Sequence, residues 1–471
     1  MFRGRVRSVH FVGIGGIGMS GLAEILRTMD FEVSGSDLKG NDITKRLETL
    51  GVRVVTGHRA ENVVGADVVV YSSAIKPDNP ELVRARALDI PIIPRGEMLA
   101  ELMRVKYTVA IAGSHGKTTT TSLVATVLRA AGLDPTVVVG GKVNALGSNA
   151  RLGAGDLFVA EADESDGSFL RLTPTIGVIT NIDAEHLDHY GSHAGVKDAF
   201  VEFANKIPFY GLAIMCMDHP HVQEIVPRVG RRVMTYGVSR QADFRARHEQ
   251  YLGFSTRFEA TKRGEPLGEF TVRMPGAHNV LNALAVIAVA DELEVPLDVV
   301  KEAIAGFHGV QRRFTVVSQP TITRGGKTGD VLLIDDYGHH PAEVEVTLDA
   351  AQRGFERRVV VAFQPHRYTR TRDLFGEFTR AFNKADVLLV TEVYAAGEAP
   401  IAGANGEHLA NAIRAHGHKN VRYVADKKDV AAELEKIVRP GDIVFALGAG
   451  DINAQIRELS KRLEAEAKDP A

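Results

Sequence analysis

Tyr107-Thr-Val-Ala-Ile-Ala-Gly113-Ser114-His115-Gly116-Lys117-Thr118-Thr119-Thr120 is an apolar run entering a glycine turn, a Gly-Lys-Thr and then a helical stretch over 119–131. A strand, a tight turn and a helix start in that order make an anion site. Backbone N–H groups and the helix dipole face phosphate oxygens, a lysine neutralises the β and γ groups, and the Thr118 hydroxyl offers Mg²⁺ a ligand. The general motif G-x-x-x-x-G-K-[ST] asks for glycine at 111, where this chain has Ile111, so the loop is a shortened variant. Gly113, Ser114, His115, Gly116, Lys117, Thr118 and Thr119 are the expected ATP contacts. A phosphate loop of this kind sits on a parallel sheet, which sets the fold class as α/β.

Working outward, the pattern repeats on both sides. Upstream, short β runs at 9–12, 32–34, 52–56, 68–71 and 90–93 alternate with helical stretches and end in one over 96–103, which predicts a small parallel sheet and a boundary near 106. Downstream, strands and helices continue to about 312. They are interrupted over 231–274, where alternation and the turn Arg263-Gly-Glu-Pro266 predict an antiparallel addition, and a helix over 280–293 follows. A third series runs through 331–334, 359–363, 387–391, 421–424 and 443–447, another doubly wound unit. The expectation is three domains: a small Rossmann-like N-terminal domain (1–106), a P-loop ATPase central domain with an antiparallel addition (107–312) and a Rossmann-like C-terminal domain (313–471). The tail over 464–471 reads as frayed.

Composition narrows the partners. Lys+Arg 56 against Asp+Glu 59 gives a net charge of −3, with no global basic field for nucleic acid or acidic lipid. Cys216, the one cysteine, lies in the apolar run 211–217 and reads as core, which excludes an internal disulfide. The N-terminus lacks a signal-peptide pattern, and no run of about 18 apolar residues spans a membrane. The expected setting is the cytoplasm, with small-molecule substrates and a monomer or homodimer.

Other segments carry chemistry. Gly13-Ile-Gly15-Gly16-Ile-Gly18 lies between a strand and a helix, with Asp37 after the next strand. Its glycines admit a diphosphate to the backbone, and the acid can meet a ribose hydroxyl. NAD(P), another nucleotide diphosphate and a structural turn all satisfy this spacing. The run ending in Glu161-Ala-Asp163-Glu164-Ser-Asp166 places acids at a strand end beside the phosphate loop, and Asn181-Ile-Asp183-Ala-Glu185-His186 does so at the next. Phosphoryl transfer needs such groups to hold metal. Asn279 and Asn282, spaced i, i+3, share a helix face that can read a base edge. Arg367 and Arg370 suit a small carboxylate, and Arg313 and Asp336 flank a predicted joint between domains.

These motifs together resemble the Mur ligase family, the ATP-dependent ligases that assemble the peptide of the bacterial cell-wall precursor, over almost the whole chain. The shortened loop Gly113-Ser-His-Gly-Lys-Thr-Thr is like that family's. The resemblance implies ATP and Mg²⁺ as cofactors, with metal on Thr118, Glu161 and His186 and catalytic roles for Lys117, Glu161, His186, Arg313 and Asp336. It adds Asn279, Asn282 and Arg313 to the ATP site, and gives the UDP-sugar to Gly13, Gly15, Gly16, Gly18, Asp37 and Ser72. The incoming amino acid falls to Tyr337, His339, Arg367 and Arg370, with His339 or a water as base. Within the family, Gln364-Pro-His366-Arg367-Tyr368-Thr-Arg370 and Leu447-Gly-Ala-Gly450-Asp451 are similar to the alanine-adding pattern. That implies amide formation between L-alanine and the lactyl carboxylate of UDP-N-acetylmuramate through an acyl phosphate, giving ADP and phosphate. Where other members carry a carbamylated lysine, this chain has Phe200, with Lys197 one turn earlier. The rival readings are a ligase joining a whole tripeptide to the same sugar, an NAD(P)-dependent oxidoreductase and a nucleotide switch or motor.

Overall fold

The computed structural model describes residues 6–104, 106–139 and 150–468. Near the N-terminus, five strands lie in the order Arg53–Thr56, Glu32–Asp37, Ser8–Val12, Val68–Tyr71, Ile92–Pro94, and each neighbouring pair is parallel. The order reverses between Ser8–Val12 and Val68–Tyr71, so the crevice beyond their carboxyl ends is the ligand position of such a sheet. Gly13 and Ser72 are the next residues on those two strands.

A ten-stranded sheet follows. Its parallel part runs from the start of Phe244–Leu252 through Val233–Gly237, Leu212–Cys216, Ile176–Ile179, Tyr107–Ala112, Leu157–Glu161 and Thr136–Val138. The strand feeding the phosphate loop is therefore central, with the two acid-ended strands on either side. Beyond Val233–Gly237 lie Phe244–Leu252, Ser255–Lys262 and Glu265–Val272, joined by two-residue links that only antiparallel neighbours can use. The antiparallel addition thus starts later than the 231 expected from sequence. Val233–Gly237 is parallel to Leu212–Cys216 because the helix Pro220–Ile225 provides a crossover, too short for its periodicity to register.

In the C-terminal part, Leu332–Asp336, Ile443–Leu447, Val359–Phe363, Val387–Thr391 and Val421–Val424 are parallel neighbours in that order. Thr315–Ser318 adds an antiparallel edge to Leu332–Asp336. The helix Asn453–Lys468 covers most of the stretch expected to fray, and Arg324 Nε donates to Glu466 Oε1 at 3.0 Å; residues 469–471 lie outside the described residues.

The chain divides into two compact units. The first takes the residues up to His248, Phe258–Thr271 and Leu281–Val310; the second takes Glu249–Arg257, Val272–Val280 and everything from Gln311 on. The first sheet and the parallel strands of the second lie in the first unit and share an apolar core, in which Phe11, Leu99, Phe158 and Phe200 are buried. Among the described residues no helix is long and apolar enough to cross a membrane. Cys216 is buried in its strand, and burial pushes its thiol up to about 12.

Candidate active site

The phosphate loop is held by the strand end beside it. Ser114 N donates to Asn181 O at 3.2 Å and His115 N to Asn181 Oδ1 at 2.7 Å, while Thr180 Oγ1 and Asn181 Nδ2 donate back to His115 O at 2.6 and 3.0 Å. A side chain at Gly113 has no room: its Cβ would lie 2.0 Å from Thr180 Oγ1, at a φ of +133°. Gly116 has a φ of +82° and faces Asn282 Oδ1, which also accepts from Thr120 Oγ1 at 3.1 Å. Lys117 opens the helix Lys117–Ala130. Its Nζ donates to Gly113 O at 2.6 Å and Ser114 O at 3.1 Å and pairs with Glu164 at 2.8 Å. Burial pulls the ammonium pKa down, but Glu164, Glu161 and Asp163 outweigh it and hold Lys117 charged. Thr119 is buried in the first turn of the same helix.

Both strand ends supply oxygen and nitrogen donors. Thr118 Oγ1 lies 3.0 and 3.1 Å from the two carboxylate oxygens of Glu161. His186 caps the helix Leu187–Tyr190 in left-handed backbone, at φ +55°. One ligand atom each from Glu164, Glu185 and His186 fall within 4.8 Å of one another, a hard-donor set of the kind a divalent cation takes. Sequence reasoning quoted Glu164 and Glu185 only as members of acidic strings; the structure singles them out. Burial pushes the Glu164 carboxyl up, to about 7, against the pull of Lys117. Asp163 instead pairs with Arg95 at 3.2 Å, and Lys117 and Arg95 keep it below the usual carboxylate range against burial. Phe200 is fully buried against Phe169, and Lys197 pairs with Glu224 at 2.6 Å.

Also in the first unit, the glycine turn rests on the second strand. Gly13 N and Ile14 N donate to Ser36 O at 2.8 and 3.0 Å, and Gly15 N donates to Asp37 Oδ2 at 2.9 Å. Gly16 caps the helix Ile17–Thr28 with no side chain of its own to answer the N–H groups there, and a Cβ at Gly18 would press on Arg95 at 3.1 Å. Ser72 N donates to Val12 O at 3.3 Å, and a Cβ at Gly13 would contact Ser72 at 3.6 Å. Gly13, Gly15, Gly16, Gly18, Asp37 and Ser72 therefore lie at or against one turn.

The second unit gathers the remaining set. Asp336 is buried and accepts from Phe314 N and Gly338 N, both at 2.7 Å; burial pushes it up to about 6 against the pull of Arg313. Arg313 donates not to Asp336 but to Glu343 Oε1, at 2.9 Å. Asn279 Nδ2 donates to Pro275 O at 2.8 Å. The Tyr337 and His339 rings lie 5.2 Å apart, His339 lies 5.6 Å from His366, and Arg370 Nη1 is 3.3 Å from His366 Nδ1. His366, unassigned from sequence, thus links the residues expected to meet the amino acid. Burial, with His339 and Arg370, lowers it to about 4, which leaves it neutral at pH 7. Arg367 sits at φ +69°, its N–H bonded to Tyr394 O at 2.9 Å.

A phosphate loop on the central strand of a parallel sheet, with Rossmann-like sheets before and after it in the chain, defines a three-domain α/β enzyme of the P-loop class. Three family models match in turn: "Mur ligase family, catalytic domain" over 8–107, "Mur ligase middle domain" over 111–290 and "Mur ligase, glutamate ligase domain" over 312–450. The chain belongs to the Mur ligase family. It is 71% identical over 470 residues to the UDP-N-acetylmuramate–L-alanine ligase of Sorangium cellulosum, covering 99% of this chain and 98% of that one. The protein of the same name from Myxococcus xanthus is 60% identical over 97% of this chain and 95% of its own length. The crystal structure of the UDP-N-acetylmuramate-alanine ligase of Thermotoga maritima matches with a TM-score of 0.80 at 32% identity, covering 98% of this chain and 99% of that one. A murein peptide ligase from Psychrobacter arcticus shares the fold, with a TM-score of 0.68 at 23% identity over 97% and 99% of the two chains.

Proposed function

We propose that the chain is an ATP-dependent amide ligase of peptidoglycan precursor synthesis, acting in the cytoplasm as a monomer or homodimer. It joins L-alanine to the lactyl carboxylate of UDP-N-acetylmuramate. The observation that carries the reading is the phosphate loop with its charged Lys117 flanked by Glu161 and Glu164, in a chain 71% identical to a relative of that name. The domains divide as 1–106 for the UDP-sugar, 107–312 for ATP and 313–471 for the amino acid.

The γ-phosphoryl group of ATP passes to the lactyl carboxylate; the neutral amine of L-alanine attacks the acyl phosphate, and phosphate leaves. Gly113 to Thr119 cradle the phosphates, and Lys117 offsets charge on the transferring group. Asn279, Asn282 and Arg313 serve ATP. Gly13, Gly15, Gly16, Gly18, Asp37 and Ser72 hold the UDP-sugar; Tyr337, His339, Arg367 and Arg370 hold the amino acid. Thr118, Glu161 and His186 would hold Mg²⁺, which when bound would supply charge neutralisation between the two anions.

The test is phosphate release from ATP with UDP-N-acetylmuramate present, comparing L-alanine, glycine, L-serine and a tripeptide. L-Alanine should give the highest kcat/KM, and Lys117→Ala should lose at least roughly a hundredfold of it, the scale of removing one charge-stabilising group. Release that ignores the amine, or a Lys117→Ala variant near normal turnover, would overturn the proposal. A preference for the tripeptide would assign the chain to the peptide-joining reaction instead.

A further inference from the structure

Behind the glycine turn lies a buried carboxylate that the reaction does not use. Glu81, in the first turn of the helix Pro80–Ala87, is wholly inaccessible to solvent. A carboxylate in such a place is costly unless its lone pairs are answered, and this one is answered from three other chain segments. Its Oε2 accepts from Ser36 Oγ at 2.6 Å and lies 3.2 Å from His58 Nδ1. Its Oε1 accepts from Asn62 Nδ2 and from Arg59 N at 3.4 Å, and lies 3.8 Å from Nε2 of the buried His10.

From these partners the bonds lead on to the turn. Ser36 O receives Gly13 N and Ile14 N. The neighbouring Asp37 receives Gly57 N on its backbone oxygen at 2.7 Å and Gly15 N on its carboxylate at 2.9 Å. Asn62 Nδ2 also donates to Gly57 O at 3.2 Å. Both supports of Asp37, the strand end at Ser36 and the loop over 57–62, are thus tied to Glu81.

We propose that Glu81 is a positioning residue for the nucleotide-sugar site, holding Ser36 and the 57–62 loop so that Asp37 and the Gly13–Gly18 turn keep the spacing a ribose and a diphosphate require. This rests on the reading of that turn as the UDP-sugar site. Glu81 touches no reacting atom, so the effect belongs in sugar affinity and not in chemistry.

The experiment measures KM for UDP-N-acetylmuramate and for ATP, with calorimetric binding of UDP-N-acetylmuramate alone, in Glu81→Gln, Ser36→Ala and the double variant. Glu81→Gln keeps the size but turns an amide toward donors; Ser36→Ala removes one bond. Each should raise KM for the sugar roughly tenfold, the worth of one buried hydrogen bond to a charged group, while KM for ATP and kcat stay within about twofold. The double variant should be no worse than the poorer single one, because the two act through one contact. Wild-type sugar affinity in a folded variant, a parallel rise in KM for ATP, or additive losses would overturn the proposal. Should Glu81→Gln not fold, Ser36→Ala decides alone.

Gly15→Val separates this inference from the reading beneath it, since a Cβ at Gly15 would lie 2.8 Å from Asp37 Oδ2. If Gly15→Val leaves sugar affinity intact, the turn is not the sugar site and both fail. If it weakens affinity while Glu81→Gln and Ser36→Ala do not, the positioning role alone fails.

Discussion

Single atoms decide whether the phosphate loop exists. Gly113 carries the φ of +133° that turns the chain from strand to loop, and the space where a Cβ would go is filled by the Thr180 hydroxyl that holds His115 O. Gly113→Ala must therefore strain the backbone and displace that hydroxyl, at a cost of about 1–3 kcal/mol for the backbone alone. Phosphate release by this variant should fall at least roughly tenfold, with most of the loss in KM for ATP; equal KM values for mutant and wild type would show that the loop tolerates the change. Glu81 makes the opposite kind of demand, electrostatic rather than steric. Burial pushes its carboxyl up, yet His10, Ser36 and Asn62 outweigh that and hold it at about 2, below the ordinary 4.5. A depressed carboxylate pKa stabilises the fold fully above the unfolded value, and that stability drains away as pH falls from about 4.5 toward 2. The shift is worth at most about 3 kcal/mol. Denaturant unfolding at about pH 5 and about pH 3 should show the wild type losing more stability than Glu81→Gln; identical losses would mean the folded carboxyl titrates normally.

At the scale of elements, the site is a matter of which strand ends stand side by side. Leu212–Cys216, Ile176–Ile179 and Tyr107–Ala112 are consecutive in the sheet, and Asp183 ties their turns together. Its carboxylate lies 2.8 Å from His115 Nε2 in the phosphate loop and 3.4 Å from His219 Nε2 beyond Leu212–Cys216. Burial would raise its pKa, but the two imidazoles hold it far below the usual range. Asp183→Asn should thus loosen the phosphate loop and raise KM for ATP about five- to tenfold, leaving KM for the UDP-sugar unchanged; equal increases in both would point to general loosening. Strands were legible in the sequence where apolar β-branched runs end in glycine or a polar turn: Tyr107–Ala112, Val359–Phe363, Val387–Thr391 and Ile443–Leu447 fall where the runs predict. Pro220–Ile225 was not, because six residues are too few for a 3.6-residue period to show. The same limit applies to the site. Strings such as Glu161-Ala-Asp163-Glu164 announce acids at a strand end, but only the path of the turn decides that Glu161 meets Thr118, Asp163 meets Arg95 and Glu164 meets Lys117.

The whole molecule folds as two compact units, and this has a thermodynamic consequence. The first unit holds both the glycine turn and the phosphate loop, around a large apolar core whose residues run from Val9 to Ile225. The second holds Tyr337, His339, Arg367 and Arg370 over separate cores, one of them built on Phe363, Phe378 and Phe382. A core that closes on itself unfolds as a cooperative block, so a chain with two such blocks departs from two-state behaviour. The chain has no tryptophan, which makes scanning calorimetry the natural measurement. It should show two resolvable transitions. A ligand at a hundred times its Kd stabilises the block that binds it by about 2.7 kcal/mol. UDP-N-acetylmuramate at that excess should therefore raise one transition and leave the other in place. Gly15→Val should abolish that shift, whereas Arg367→Ala, which touches only the second unit, should preserve it. A single transition whose calorimetric and van't Hoff enthalpies agree would mean that the two units unfold as one, and a shift of both transitions by the sugar alone would mean that its binding free energy is shared between them.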